Sequence, residues 1–249
     1  MKTIAIINRK GGVGKTATAQ ALGAGLLKRG ARVLFVDLDS QTNLSYGLNA
    51  NQNGRDIMEV LTGACHTADA IQHTEQGDLI AGAESLAAAD AAIDGTGKEY
   101  RLKEALEGIG GLYDYVIIDT PAALGTLTVN ALTAADGVVI PVQADEYSLQ
   151  GIGQLHKAIT AVRKYCNRDL KINGILITRY NSRAILSRDM QSNLQDIAAT
   201  LGTKVYSTPI RECISVKEAQ ACRQDIFSYA PRSNAAKDYT AFLDEFMQD

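Results

Sequence analysis

The stretch NRKGGVGKTAT, residues 8–18, follows the apolar run TIAIIN (3–8) and opens a segment of good helix formers, 15–29. A strand, a glycine-rich turn and a helix therefore follow one another within about 25 residues. Gly11, Gly12 and Gly14 let backbone N–H groups turn toward a phosphate with no side chain in the way. The helix beginning at Lys15 adds the positive end of its dipole. Lys15 is placed to reach the β- and γ-phosphates, and the Thr16 hydroxyl to ligate Mg²⁺. The cradle is read as Gly11, Gly12, Val13, Gly14, Lys15, Thr16 and Ala17. Gly-Lys-Thr alone would say little; GGxGKT after an apolar strand says much more. One departure stands out: Arg9 occupies a position where the usual loop has glycine, and a second lysine, Lys10, follows it.

Further apolar runs recur at 32–37, 78–81, 114–119, 137–142, 172–178 and 204–207. They lack a two-residue alternation, as strands covered on both faces do. Helix-length stretches separate them, including 98–107 and 185–201. The fold class expected is α/β, P-loop NTPase-like: a mostly parallel twisted sheet with helices on both faces. Residues 1–249 are read as a single domain, near the upper size for one core. Residues 49–54 and 82–97 read as loops or inserted segments, and 234–249 as a helix capping the core with Tyr239, Phe242 and Phe246.

Ligands in such a sheet bind beyond the carboxyl ends of the strands, and two carboxylate patches fall there. FVDLDSQTNL (35–44) holds Asp37, Asp39, Ser40 and Asn43, which alone would pass for turn and capping residues. Beside a phosphate loop, a carboxylate in that patch can orient the attacking water or hold metal-bound water. The strand ending at Asp119 puts a carboxylate where Mg²⁺ would be bound through water. Thr120-Pro121 makes a sharp exit from it, and Gly125 marks a mobile segment near the γ-phosphate.

Composition narrows the class. An apolar fraction of 46% argues against disorder. No apolar run is long enough to span a bilayer, and the start KTIAII lacks the features of a signal peptide. Cys65, Cys166, Cys213 and Cys222 show no CxxC spacing, which suits reduced thiols in a cytoplasmic protein and not a metal site. Residues 1–150 carry 11 Lys and Arg against 18 Asp and Glu, a net of −7, while 151–249 carry 14 against 10, a net of +4. The basic half suits either a polyanion-facing surface or scattered solvated charge.

The segments KGGVGKT (10–16), VDLDSQTN (36–43), DYVIIDTPAALGTLTVNAL (114–132) and STPIRECISVKEAQ (207–220) together resemble the ParA/Soj group of deviant Walker-A ATPases, within the MinD/ParA family. The resemblance implies an ATP hydrolase of weak intrinsic activity that uses ATP and Mg²⁺. It implies that Lys10 crosses the interface of an ATP-bound homodimer to the other subunit's nucleotide, as an arginine finger would. Lys15 and Thr16 then keep their usual roles, Asp119 and Asp39 hold Mg²⁺ through water, Asp39 positions the attacking water, and Asp37 organises the site through Lys10. No GTP-specifying NKxD motif is present. The corresponding place, LITRYNS (176–182), offers Thr178 and Arg179 to flank the purine, and TPIR (208–211) offers backbone groups near Pro209 and Arg211.

Within the family, the acidic end FLDEFMQD differs from the basic amphipathic tail of membrane-binding members, so no membrane is expected. Cluster-ligating cysteines after Asp119 and a tyrosine-rich tail are also lacking. The partition branch remains. It implies non-specific DNA binding, a ParB-like centromere-binding adaptor that stimulates hydrolysis, and a nucleoid-associated cytoplasmic location. The candidate DNA contacts are Arg163, Lys164, Arg168, Lys171, Arg183, Arg188, Arg211, Lys217 and Arg223. Ile214 and Ser215 depart from the chromosomal pattern PRNVRLSEAP, which carries a second arginine there. The alternatives are a same-mechanism ATPase that positions a protein cargo, and a metabolic ATP-dependent enzyme resembling dethiobiotin synthetase.

Overall fold

The structure, a computed structural model, describes residues 1–143, 146–181 and 185–248; of 146–150 and 185–191 it describes the backbone alone. The first elements are β1 (Lys2–Ile6), α1 (Lys15–Lys28), β2 (Val33–Asp37), α2 (Asn43–Gly47) and α3 (Ile57–Thr62). Then come β3 (Ile71–Thr74), β4 (Gly77–Ile80), α4 (Ala89–Ala92), α5 (Arg101–Glu107), β5 (Tyr115–Asp119) and α6 (Thr126–Ala134). The remainder holds β6 (Gly137–Gln143), α7 (Glu146–Tyr165), β7 (Lys171–Thr178), α8 (Ile185–Thr200), α9 (Ile214–Ala221), α10 (Ile226–Tyr229) and α11 (Asn234–Phe246).

Among the described residues, seven strands form one sheet in the order β3-β4-β2-β5-β1-β6-β7. All pairings are parallel except β3 with β4. Successive side chains of a strand point to opposite faces, and the cores divide accordingly. Leu34, Val36 and Leu38 join a cluster with Leu61, Leu106, Leu132 and Leu155 on one face. Phe35 joins Leu22, Leu26, Tyr239 and Phe242 on the other. This is the expected α/β architecture, with helices on both faces.

Helix α1 is buried almost all round, which places its amino end rigidly under the sheet's carboxyl edge. Two glycines inside it allow the close approach. A Cβ at Gly23 would meet Phe35 Cε1 at 2.1 Å, and one at Gly25 would meet Leu243 Cδ2 at 2.5 Å. Helix α11 covers α1 with Tyr239, Phe242 and Phe246, all buried, as the capping-helix reading expects.

Two features depart from the sequence reading. Residues 71–74 form an edge strand with no apolar run to announce it, because three of the four residues of IQHT are polar and the strand pairs with β4. Residues 204–207 make no strand. Val205 bridges Ile175 once, and Ser207 N then turns to Glu245 Oε2 at 2.8 Å. The segment 82–97 is partly helical, with a 3₁₀ turn at Glu84–Ala88 ahead of α4. The four cysteines are free thiols, and among the described residues no helix is long and apolar enough to cross a membrane.

A candidate nucleotide site at the carboxyl edge of the sheet

The turn after β1 is fixed from both sides. Asn8 is buried; its Nδ2 donates to Pro141 O in β6 at 2.7 Å, and its Oδ1 accepts from Lys10 N at 3.0 Å. Gly12 and Gly14 adopt φ of 74° and 85°, the left-handed region where a side chain is strained. Val13 between them is buried, and its carbonyl accepts the Thr178 hydroxyl at 2.7 Å. Gly14 begins α1 without a side-chain cap. The free N–H groups of the first turn are thereby left for an anion.

Lys15 lies at the centre and is only 7% exposed, its Nζ 3.5 Å from Lys10 O. Burial lowers its pKa, opposed by the carboxylates of Asp119 and Asp39. A phosphate here would add to the negative charge that offsets the burial of this ammonium.

The carboxylates meet through strand register. Asp119 at the end of β5 lies opposite Ile6 of β1 and Asp37 of β2. Thr16 Oγ1 donates to Asp119 Oδ2 at 2.6 Å, while the buried Asp119 Oδ1 has no partner. Burial and then the neighbouring Asp37 push the Asp119 pKa upward. Burial likewise raises Asp37, although Ser45 donates to it through N at 2.9 Å and Oγ at 2.7 Å. Asp37 also accepts from Asp39 N at 3.1 Å. Asp37 thus organises the loop through Ser45 and the Asp39 backbone. Ser45 was not anticipated, because nothing in its spacing marks it; Gly82, whose N donates to Ser45 Oγ at 2.8 Å, closes the same knot.

These residues fit Mg²⁺. An orphaned buried carboxylate oxygen beside a hydroxyl, in a site with excess negative charge, calls for a hard cation. Among the described residues no cluster of three or more His, Cys, Asp or Glu could hold a metal. Thr16 and Asp119 would supply the one or two protein oxygens that Mg²⁺ takes, phosphate and water completing its shell.

The loop opens into a cleft of about 790 Å³, lined by Gly11, Gly12, Gly14, Lys15, Thr16 and Ala17 at the phosphate end. Asp39, Ser40, Asn43 and Tyr46 form one wall, Pro121 to Ala123 another, and Ile210 to Cys213 with Val216, Lys217 and Gln220 a third. Thr178 and Arg179 stand between them. The Thr178 hydroxyl is committed to Val13, so it braces the loop. Arg179, at φ 51°, pairs with Glu212 at 2.9 Å, and Arg211 makes a two-pronged pair with Asp238 at 2.6 and 2.9 Å. Pro209 and Lys10 do not line the cleft. Tyr46, Val216 and Gln220 were missed, since helical residues facing a cleft carry no local signal. Of the basic candidates, Arg163 donates to Leu170 O at 2.8 Å, Arg183 lies outside the described residues, and the side chain of Arg188 is likewise not described. Gly125 precedes α6, whose Thr126 N donates to Asp90 Oδ1 at 2.7 Å.

Known proteins resemble the chain over most of its length. The AAA domain family matches residues 1–172. The chain is 41% identical over 243 residues to the sporulation initiation inhibitor protein Soj of Bacillus subtilis, covering 96% of this chain and 95% of that one. It is 38% identical over 248 residues to the chromosome-partitioning ATPase Soj of Thermus thermophilus, covering 99% and 96%. Its fold matches cobyrinic acid a,c-diamide synthase from Mycobacterium smegmatis, solved with an ATP analogue and magnesium, with a TM-score of 0.86 and 35% identity over 100% of this chain and 95% of that one.

Fold and site together define a P-loop ATPase that binds ATP with Mg²⁺ and hydrolyses it to ADP and phosphate. The chain belongs to the ParA/Soj family of deviant Walker-A partition ATPases.

Proposed function

We propose that the protein is a nucleotide-driven switch for partitioning DNA. ATP closes a homodimer, the dimer binds DNA non-specifically on the nucleoid, and a ParB-like centromere-bound adaptor triggers hydrolysis and release. The observation that carries this reading is the position of Lys10. It adjoins the phosphate loop yet does not line its own cleft, where Lys15 is the buried ammonium group at the phosphate end. A second lysine so placed is useful to a nucleotide held by another copy.

In the reaction Lys15 neutralises the charge on the β- and γ-phosphates, and the Gly11–Thr16 backbone orients them. Asp39 receives and aligns the attacking water. Lys10 from the other subunit adds positive charge where the transferring phosphoryl group becomes more negative. Thr16, and through water Asp119 and Asp39, would hold Mg²⁺, which would supply positive charge against the negative charge of the phosphates. Arg179 and the Ile210–Arg211 backbone, which line the cleft, receive the base. The chain's relatives named for chromosome partitioning support the assignment of the cargo as DNA.

The test is co-sedimentation with duplex DNA in ATP and in ADP at two salt concentrations. DNA should be retained with ATP only and lost steeply as salt rises. Equal retention in both nucleotides would overturn the switch, and a Lys10→Ala variant that dimerises and turns over like the parent would overturn the role of Lys10.

A further inference from the structure

Helix α1 carries Gln20 one turn after Thr16, so the two share a helix face. Gln20 Nε2 donates to Gln76 Oε1 in the β3–β4 turn at 3.3 Å. Gln76 Nε2 in turn donates to Gly47 O, at the end of α2, and to Arg223 O, between α9 and α10, each at 2.9 Å. Asn49 Nδ2 adds a bond to the same Arg223 carbonyl at 3.4 Å. Arg223 and Asn49 sit at φ of 51° and 59°. Left-handed backbone is uncommon at an arginine and persists where the surroundings over-determine it. Here the amides hold the Arg223 carbonyl, and the side chain is delivered to one place. Its guanidinium carbon lies 4.1 Å from the centroid of the Tyr46 ring.

Tyr46 is 46% exposed, too open for a core residue, and it lines the nucleotide cleft. On its far side lies a hollow of about 270 Å³ bounded by Asn49, Asp56, Glu84 and Arg223. Arg223 is thus the stacking partner found on the ring. From Tyr46 a short backbone path leads to the water-side carboxylate. Tyr46 N donates to Thr42 O at 2.8 Å, Thr42 N donates to Asp39 O at 2.9 Å, and Gln41 N donates to Asp39 Oδ1 at 3.1 Å. Thr42 is itself at φ 52°, an outlier for a β-branched residue. The Asp39 loop is therefore a strained turn, and the stack bolts its trailing helix to the α9 side of the cleft.

We propose that Tyr46 and Arg223 are positioning residues for ATP hydrolysis: their stacked contact fixes α2, and with it the Asp39 loop, across the cleft from α9. The inference rests on the role given above to Asp39. Because the stack acts on the water-side carboxylate and not on the phosphate cradle, it affects turnover and leaves binding alone.

The test compares variants of the full chain in steady-state ATPase assays, in calorimetric binding of a non-hydrolysable ATP analogue, and in thermal melts. Arg223→Gly is the informative change, since glycine keeps the left-handed backbone and the carbonyl while removing the guanidinium. A cation–π contact at an exposed site predicts a fall in kcat of about three- to fivefold, with analogue affinity and melting temperature not reduced. Tyr46→Leu should show the same fall, and the Tyr46→Leu/Arg223→Gly pair should lose no more than either alone. Parent-like kcat in Arg223→Gly, additive losses in the pair, or a parallel loss of analogue binding would overturn the proposal. Asp39→Asn separates the two readings. If it turns over at the parent rate, the role of Asp39 falls and takes this inference with it. If it is inactive while Arg223→Gly is unchanged, only the latch falls.

Discussion

Thr16 Oγ1 lies 2.6 Å from Asp119 Oδ2, joining the first turn of α1 to the end of β5, while the other oxygen of Asp119 is buried without a partner. One carboxylate thus holds the Thr16 hydroxyl in place and keeps an oxygen in reserve. Asp119→Asn keeps the shape and removes the charge. Calorimetry should show ATP affinity in the presence of Mg²⁺ falling at least about tenfold, with much less change when Mg²⁺ is chelated. Equal affinities for both proteins in Mg²⁺ would remove Asp119 from the metal site.

The same carboxylates make the nucleotide-free protein sensitive to pH. Burial raises Asp37 and Asp119 above their unfolded values, about 4, with Asp39 adding to the rise at Asp37 and both Asp37 and Asp39 adding to it at Asp119. A group of this kind contributes stability that is complete below its unfolded pKa and is lost as pH rises through its folded pKa. The chain without nucleotide or Mg²⁺ should therefore melt at a higher temperature at pH 5.5 than at pH 8. Asp119→Asn should flatten that difference, and a slope identical to the parent's would refute the assignment.

The hydroxyl of Thr178 bonds Val13 O at 2.7 Å from a strand 165 positions away in sequence. Thr178→Val preserves volume and leaves that carbonyl without its donor. Urea denaturation should show a loss of about 1–2 kcal/mol. ATP affinity should fall about fivefold, since one missing hydrogen bond of about 1 kcal/mol now loosens the phosphate loop. Unchanged affinity with reduced stability would make the contact purely structural.

Helix α1 depends on glycine where it crosses Phe35. A Cβ at Gly23 would sit 2.1 Å from Phe35 Cε1, inside a fully buried contact. Gly23→Ala raises helix propensity, yet overpacking should outweigh that and destabilise by about 1–3 kcal/mol. Adding Phe35→Leu should recover part of the loss. A stabilised Gly23→Ala protein would mean that the sheet yields more readily than a close-packed core should.

The carboxylate positions were legible in part. Asp37 and Asp119 each end an apolar run, so the sequence marks them one by one. Their facing one another follows from β2 pairing with β5, a register that no local pattern encodes. The base side was least legible. Arg211 is taken by Asp238 and Thr178 by Val13, and such partners are found only after α11 and β7 are packed.

By itself the sequence determined the phosphate loop and the layered α/β plan. Left-handed turns require glycine at given positions, and apolar runs without alternation must be covered on both faces, so both are local demands on residue type. Tertiary structure alone decided the polar edge strand 71–74, the knot of Asp37 with Ser45 and Gly82, and the stack of Arg223 on Tyr46. Each of these is a contact between distant segments whose energy appears only once the sheet and its two helical layers have brought them together.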